Sequence, residues 1–63
     1  MDFQVGDLVR FQDKHGDNQF GKILGFSGTP VVYRVLRCYD GKQKIESDVP
    51  DMKMMEVLYR EPK

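Results

Sequence analysis

The stretch VGDLVRFQDKHGDNQFGKILGF, residues 5–26, decides how this chain is read. Two apolar runs flank a polar loop. In the first run, residues 8–11, Val9 and Phe11 fall on one side of an extended backbone and Arg10 on the other. The preceding Gly6-Asp7 forms a turn, because glycine tolerates positive φ and aspartate hydrogen-bonds to nearby backbone. Residues 13–18 form the loop, centred on His15-Gly16-Asp17. The second run, residues 19–26, alternates: Phe20, Lys22, Leu24 and Phe26 share one face, Gly21, Ile23 and Gly25 the other. Glycine inside a strand marks a bend, a bulge or a close backbone approach. Two of them beside Ile23 predict a strongly curved strand.

The same grammar continues. Ser27-Gly28-Thr29-Pro30 reads as a turn. Residues 31–39, VVYRVLRCY, are rich in β-branched and aromatic residues and predict a third strand. Their phase is mixed, with Val31, Tyr33 and Val35 on one side and Val32, Leu36 and Cys38 on the other, and a bulge near Leu36 is expected to switch it. Asp40-Gly41 is a hairpin turn signal, followed by a short fourth strand over residues 42–46. Ser47-Asp48-Val49-Pro50 carries helix-start residues, with room for one helical turn before a last strand over residues 56–59. The polar tail from Arg60 is expected to fray, with 61–63 outside the packed part. The fold class is therefore all-β, five strands with a short helical turn before the last, in a single domain over residues 1–63. Val9, Phe11, Ile23 and Val35 are the expected core.

Composition bounds the rest. A chain of 63 residues holds one thin core. Cys38 is the single cysteine and His15 the single histidine, so neither an internal disulfide nor a cysteine-based zinc site is available. Asp7, Asp13 and Asp17 fall in turns, where capping is their ordinary work. No catalytic constellation, metal site or cofactor is expected, and the chain reads as non-enzymatic. There is no apolar run of the roughly 20 residues a membrane span needs, and no leader pattern. A free thiol suits a reducing compartment, so a cytoplasmic location is the expectation. Met52, Met54 and Met55 would fill the open end of the fold. Together with Leu8, Leu24 and Phe26 they exceed what one small core holds, which favours a weak homo-oligomer.

The formal net charge is zero, but the middle is basic. Between Phe20 and Ile45, Lys22, Arg34, Arg37, Lys42 and Lys44 stand against Asp40 alone. Lys42, Lys44, Arg34 and Arg37, with Tyr39 and Phe20 as stacking rings, are the candidate binding residues. Cations among aromatic faces suit single-stranded nucleic acid. The acidic Glu46, Asp48 and Asp51 that follow would repel phosphate, and a protein is the other partner expected. The function expected is a small binding module for one of these two.

The order of elements resembles the SH3-like barrel and, within it, Tudor-like and KOW-like domains. The resemblance is carried by Val5-Gly6-Asp7-Leu8-Val9-Arg10, Phe20-Gly21-Lys22-Ile23, Tyr33-Arg34-Val35, Tyr39-Asp40-Gly41 and Val49-Pro50. It implies a five-stranded barrel. Similarity to Tudor domains implies an aromatic cage for methylated lysine or arginine, with walls falling on Phe11, Phe20 and Tyr39, and on the non-aromatic Ile45. A further similarity, over Phe3 to Arg10 and Gly21 to Phe26, is to the plasmid-borne type II dihydrofolate reductase. It implies an oligomeric enzyme subunit as the alternative. Of that family's Val-Gln-Ile-Tyr run, only Ile45 is matched in Gln43-Lys44-Ile45-Glu46.

Overall fold

The computed structural model describes residues 3–39 and 43–62. The expected turn at Asp40-Gly41 and the candidate Lys42 lie outside the described residues, as do the side chains of Cys38, Tyr39 and Lys44.

The opening stretch is a β-hairpin. Strand β1 (Leu8–Gln12) pairs antiparallel with β2 (Asn18–Ser27), with Val9 opposite Gly21 and Phe11 opposite Gln19. Its loop is built by Asp13. The Asp13 carboxylate accepts the backbone N–H groups of His15 and Asp17 and the side-chain amide of Gln19, at 2.8, 3.0 and 3.0 Å. Gly16 closes the loop at φ +82°, and a Cβ there would meet nothing within 4 Å. Gly16→Ala is therefore a test of backbone strain alone. It should lower stability by about 1 kcal/mol, read as a shift of the urea unfolding midpoint with no change in slope.

Strands β3 (Val32–Tyr39), β4 (Gln43–Pro50) and β5 (Met54–Tyr59) complete one antiparallel sheet of order β4-β3-β2-β1-β5. A single 3₁₀ turn (Asp51–Lys53) separates β4 from β5. The protein is all-β, and among the described residues β4 and β5 are the open edges. Two expectations are corrected here. The register shift lies in β2, between Ile23 and Gly25, and β3 runs through Leu36 without one. The apparent phase change in β3 arises because both faces of that strand carry apolar residues. The fourth strand also extends past Glu46 to Pro50, since pairing of Ser47, Asp48 and Val49 with Val35, Arg34 and Tyr33 overrides their local helix-start character.

One cluster forms the core: Phe3, Val9, Phe11, Ile23, Tyr33, Val35, Val49 and Met54. The four residues expected from alternation are all within it and fully buried. All five strands contribute to it, and Phe3 joins from the segment before β1. A single sheet brings them into contact only by curling over its own inner face, and the β2 shift with two further shifts in the β1–β5 pairing supplies the bend. Phe3 caps the end of this core, its ring edge-on to Tyr33 at 5.6 Å between centroids. Of the methionines, Met54 is buried in the cluster and Met52 is exposed. No helix in the described residues is long and apolar enough to cross a membrane.

Arg60 is not part of a frayed tail. Its guanidinium grips the Asp7 carboxylate at two points, Nε to Oδ1 at 2.9 Å and Nη2 to Oδ2 at 2.8 Å. Asp7 is only 1% exposed and also accepts the Gln4 N–H at 2.9 Å. Its backbone meanwhile accepts the Ile23 N–H. One buried aspartate, through its carboxylate and its backbone, thus ties the start of the chain, β2 and the residue after β5 together.

Candidate functional site

The two faces of the sheet offer two different surfaces. On the outer face, alternation from the β1–β2 hairpin places Leu8, Phe20, Lys22 and Leu24 outward, all exposed. Leu8 pairs with Lys22, which pairs in turn with Leu36, and Tyr59 lies opposite Leu8 at the far side. Phe20 is 51% exposed. Leu24, the extra residue of the register shift, stands beside Gly25, where a Cβ would meet nothing within 4 Å. The missing side chain at Gly25 leaves an open groove of about 790 Å³ bounded by Leu24, Phe26 and Val32, with Arg34, Glu46 and Asp48 on its rim. The register shift also corrects the expected faces past Leu24: Gly25 pairs with Arg34 on the outer face, and Phe26 pairs with the core residue Tyr33, its half-exposed ring tilted against that ring at 5.6 Å between centroids. In the sequence Gly25 reads only as a bend in a curved strand, and Glu46 and Asp48 only as acids that follow the fourth strand.

The rim is electrically mixed. Arg34 Nε lies 3.6 Å from Asp48 Oδ1, with both side chains well exposed, so the pair fixes a position more than it adds stability. Arg10 and Glu56 form a second such pair at 3.0 Å on the same face. With Glu46 beside it, the groove carries one cation against two carboxylates.

The predicted binding residues are divided by this geometry. Phe20 and Arg34 share the outer face. Arg37, three residues from Arg34 on a regular strand, lies on the inner face in the phase of Tyr33 and Val35. Lys44 has Cys38 as its backbone partner, whereas Arg34 stands opposite Asp48 and Arg37 opposite Ile45. Phe11 and Phe20 do not wall a common cage either: Phe11 is 1% exposed in the core, and Phe20 is on the other side of the sheet.

The inner face opens into a cleft of about 430 Å³ between the β1–β2 loop and β4. Phe11, Val49 and Pro50 form its apolar wall, and Arg37, Lys14 and Lys53 bring three cations to it. Asp13 and Asp48 are its acids. Burial works to raise the Asp13 pKa, but the N–H of Asp17, the Gln19 amide and the N–H of His15 outweigh it and hold the carboxyl below its usual value. Asp13 is thus an anion whose acceptor sites are already used by its own loop. Arg37 Nε is buried without a hydrogen-bond partner. Among the described residues, no group of three His, Cys, Asp or Glu side chains is placed to hold a metal ion. No family model matches the chain, and neither a curated protein nor a solved structure matches it.

Proposed function

We propose that the chain is a small non-enzymatic binding module of the SH3-like kind, and that its partner is a protein engaged through the outer groove. The fold part of this reading is supported by the element order, the curl of the sheet and the 3₁₀ turn before the last strand. The observation that carries the functional part is the groove beside Gly25: exposed Leu24 and Val32 around an empty floor, rimmed by charges that sum to a slight negative excess. Apolar contact area with a polar rim is the make-up of a protein interface. Phosphate would meet Glu46 and Asp48 at this rim, which disfavours nucleic acid here. Lys22 and Phe20 extend the surface along β2 for a longer ligand. Self-association through the same exposed set would add a homo-oligomer, and light scattering at rising concentration reads it.

The test is selection of binders from a random peptide library, followed by mapping of amide chemical shifts. Selected peptides should move the signals of Leu24, Gly25, Phe26 and Val32, and Leu24→Ser should weaken them about tenfold without altering the unfolding midpoint. Single-stranded oligonucleotides should not bind at low salt. Oligonucleotide binding that falls with salt at a log–log slope of about −2 to −3 would reject the protein reading and restore the nucleic-acid one.

A further inference from the structure

We propose that β4 is a self-association edge, along which two copies of this chain pair antiparallel about Ile45 and join their sheets. This contact uses the edge of the sheet rather than the outer groove and does not depend on the groove's ligand.

The strand is complementary to itself. Residues 43–47 read Gln-Lys-Ile-Glu-Ser, polar and cationic before Ile45, anionic and polar after it. Two such strands laid antiparallel about Ile45 set Lys44 of each copy opposite Glu46 of the other, and Gln43 opposite Ser47. Opposite charges directly across two strands stabilise the pair, and like charges destabilise it.

Backbone parity leaves few other registers. Along an antiparallel ladder the N–H and C=O groups of successive residues turn alternately to one side and the other. Only every second residue of β4 therefore presents them to the free edge, and two copies pair regularly only about a residue. Centring on Lys44 sets Lys44 against itself, and centring on Glu46 sets Glu46 against itself. Centring on Ser47 sets Glu46 against Asp48. Of these four centres, Ile45 is the one that opposes no like charges.

The fold leaves this strand open to pairing. Among the described residues β4 ends the sheet, and its ladder with β3 runs from Gln43 to Pro50 without a register shift. The other edge, β5, meets β1 across two register shifts, and bulges turn an edge away from further strands. Charged residues ordinarily guard an edge. On β4 their order turns the guard into a selector for a second copy. Ile45 is 42% exposed, although it has the parity of the core residue Val49. Glu46 is exposed and takes part in none of the salt bridges of the described residues, which are Arg10–Glu56, Arg34–Asp48 and Arg60–Asp7. Pairing covers the first and neutralises the second. The two-fold axis puts both outer faces on one side, so the two grooves, each with Glu46 on its rim, share a continuous surface. An edge contact of this length is smaller than a standard interface of about 1,600 Å², so the dimer belongs to high protein concentration.

The experiment is sedimentation equilibrium of the whole chain, with charge-reversed variants. The parent should pass from monomer to dimer as its concentration rises to the millimolar range. Lys44→Glu and Glu46→Lys, each alone, oppose like charges at both pairs and should weaken the dimer at least about tenfold. Mixing the two variants should restore it as a heterodimer, because one copy then offers two acids where the other offers two lysines. The double variant Lys44→Glu with Glu46→Lys should dimerise as the parent does, and it gives a reading even where a single variant folds poorly. In the parent, the amide signals of residues 43–47 should move with concentration. A parent that stays monomeric at millimolar concentration, or single variants that dimerise as the parent does, overturns the proposal. So does a double variant that stays monomeric, or a dimer lost on Leu24→Ser and kept in the charge variants, which places self-association in the groove.

Discussion

Replacing Gly21 by alanine is expected to cost about 3 kcal/mol of folding free energy, the upper end for overpacked sites. The reason is geometric. A Cβ built on Gly21 would stand 2.5 Å from Val35 Cγ1 and 2.6 Å from the Leu36 carbonyl oxygen. The first clash falls on a side chain that is itself fully buried, and the second on backbone. A rotamer change relieves neither, because β-branched valine is stiff at χ1 and the carbonyl belongs to the β2–β3 ladder. The strands must separate where Gly21 pairs with Arg37. A domain of this length has on the order of 3–9 kcal/mol in total, so the variant should sit near the edge of folding at room temperature. Gly25→Ala on the same strand is the control. Its Cβ meets nothing within 4 Å, and alanine restricts the unfolded chain, so stability should hold or rise by about 0.4–1 kcal/mol. Urea unfolding followed by circular dichroism separates the two. Equal midpoints for Gly21→Ala and the parent chain would show that the strands do not approach this closely.

That contrast also shows what the chain's own letters reveal. Both glycines lie in one alternating run, and alternation alone gave them one meaning, a curved strand. The curvature is there, but Gly21 serves close packing and Gly25 opens a groove. The difference is made by β3, which sits against one and is shifted past the other. A register shift is a relation between two strands, so neither strand's pattern contains it. The same holds for Ser47-Asp48-Val49-Pro50. Taken locally these residues start a helix, and only partners fifteen or so residues upstream hold them extended. The core was legible because parity sets Val9 and Phe11 on one side of Arg10, Ile23 between Gly21 and Gly25 on its strand, and Val35 in phase with Tyr33. The candidate site was legible in part. Residue type marked Arg34 and Arg37 as interesting, and their odd spacing on one strand already sent them to opposite faces. Nothing in the letters showed that Arg34 would be held by Asp48 or that the Nε of Arg37 would be buried without a partner.

A contact between residues 53 apart in sequence makes the second large prediction. Asp7→Ala should destabilise the protein by about 2–3 kcal/mol at neutral pH, the range for hydrogen bonds to a charged group. The carboxylate is buried, accepts two bonds from Arg60 and one from the Gln4 N–H, and all three are lost together. The figure stays below that for a fully buried ion pair because the Arg60 side chain is 43% exposed and can return to water. The pH dependence identifies the cause. The Arg60 hydrogen bonds, opposed by burial and aided by the Gln4 N–H and the Arg60 charge, hold the Asp7 carboxyl below its usual value. A carboxyl whose pKa is lowered by folding contributes its full stability above the unfolded value, about pH 4. The contribution fades as pH falls from there through the lower folded value, because the unfolded chain takes up the proton first. The parent protein should therefore lose stability steeply below about pH 4, and Asp7→Ala should follow a shallower curve. Some slope must persist in the variant, since Asp13 is shifted in the same direction by its loop. Arg60→Ala completes the cycle: with Asp7→Ala it should reveal a coupling of about 1–3 kcal/mol at pH 7 that shrinks as pH falls and Asp7 takes up its proton. Thermal unfolding of the four proteins between pH 2 and 7 measures this. Parallel curves for the parent and Asp7→Ala would mean that the Asp7–Arg60 contact does not hold the two ends of the chain together.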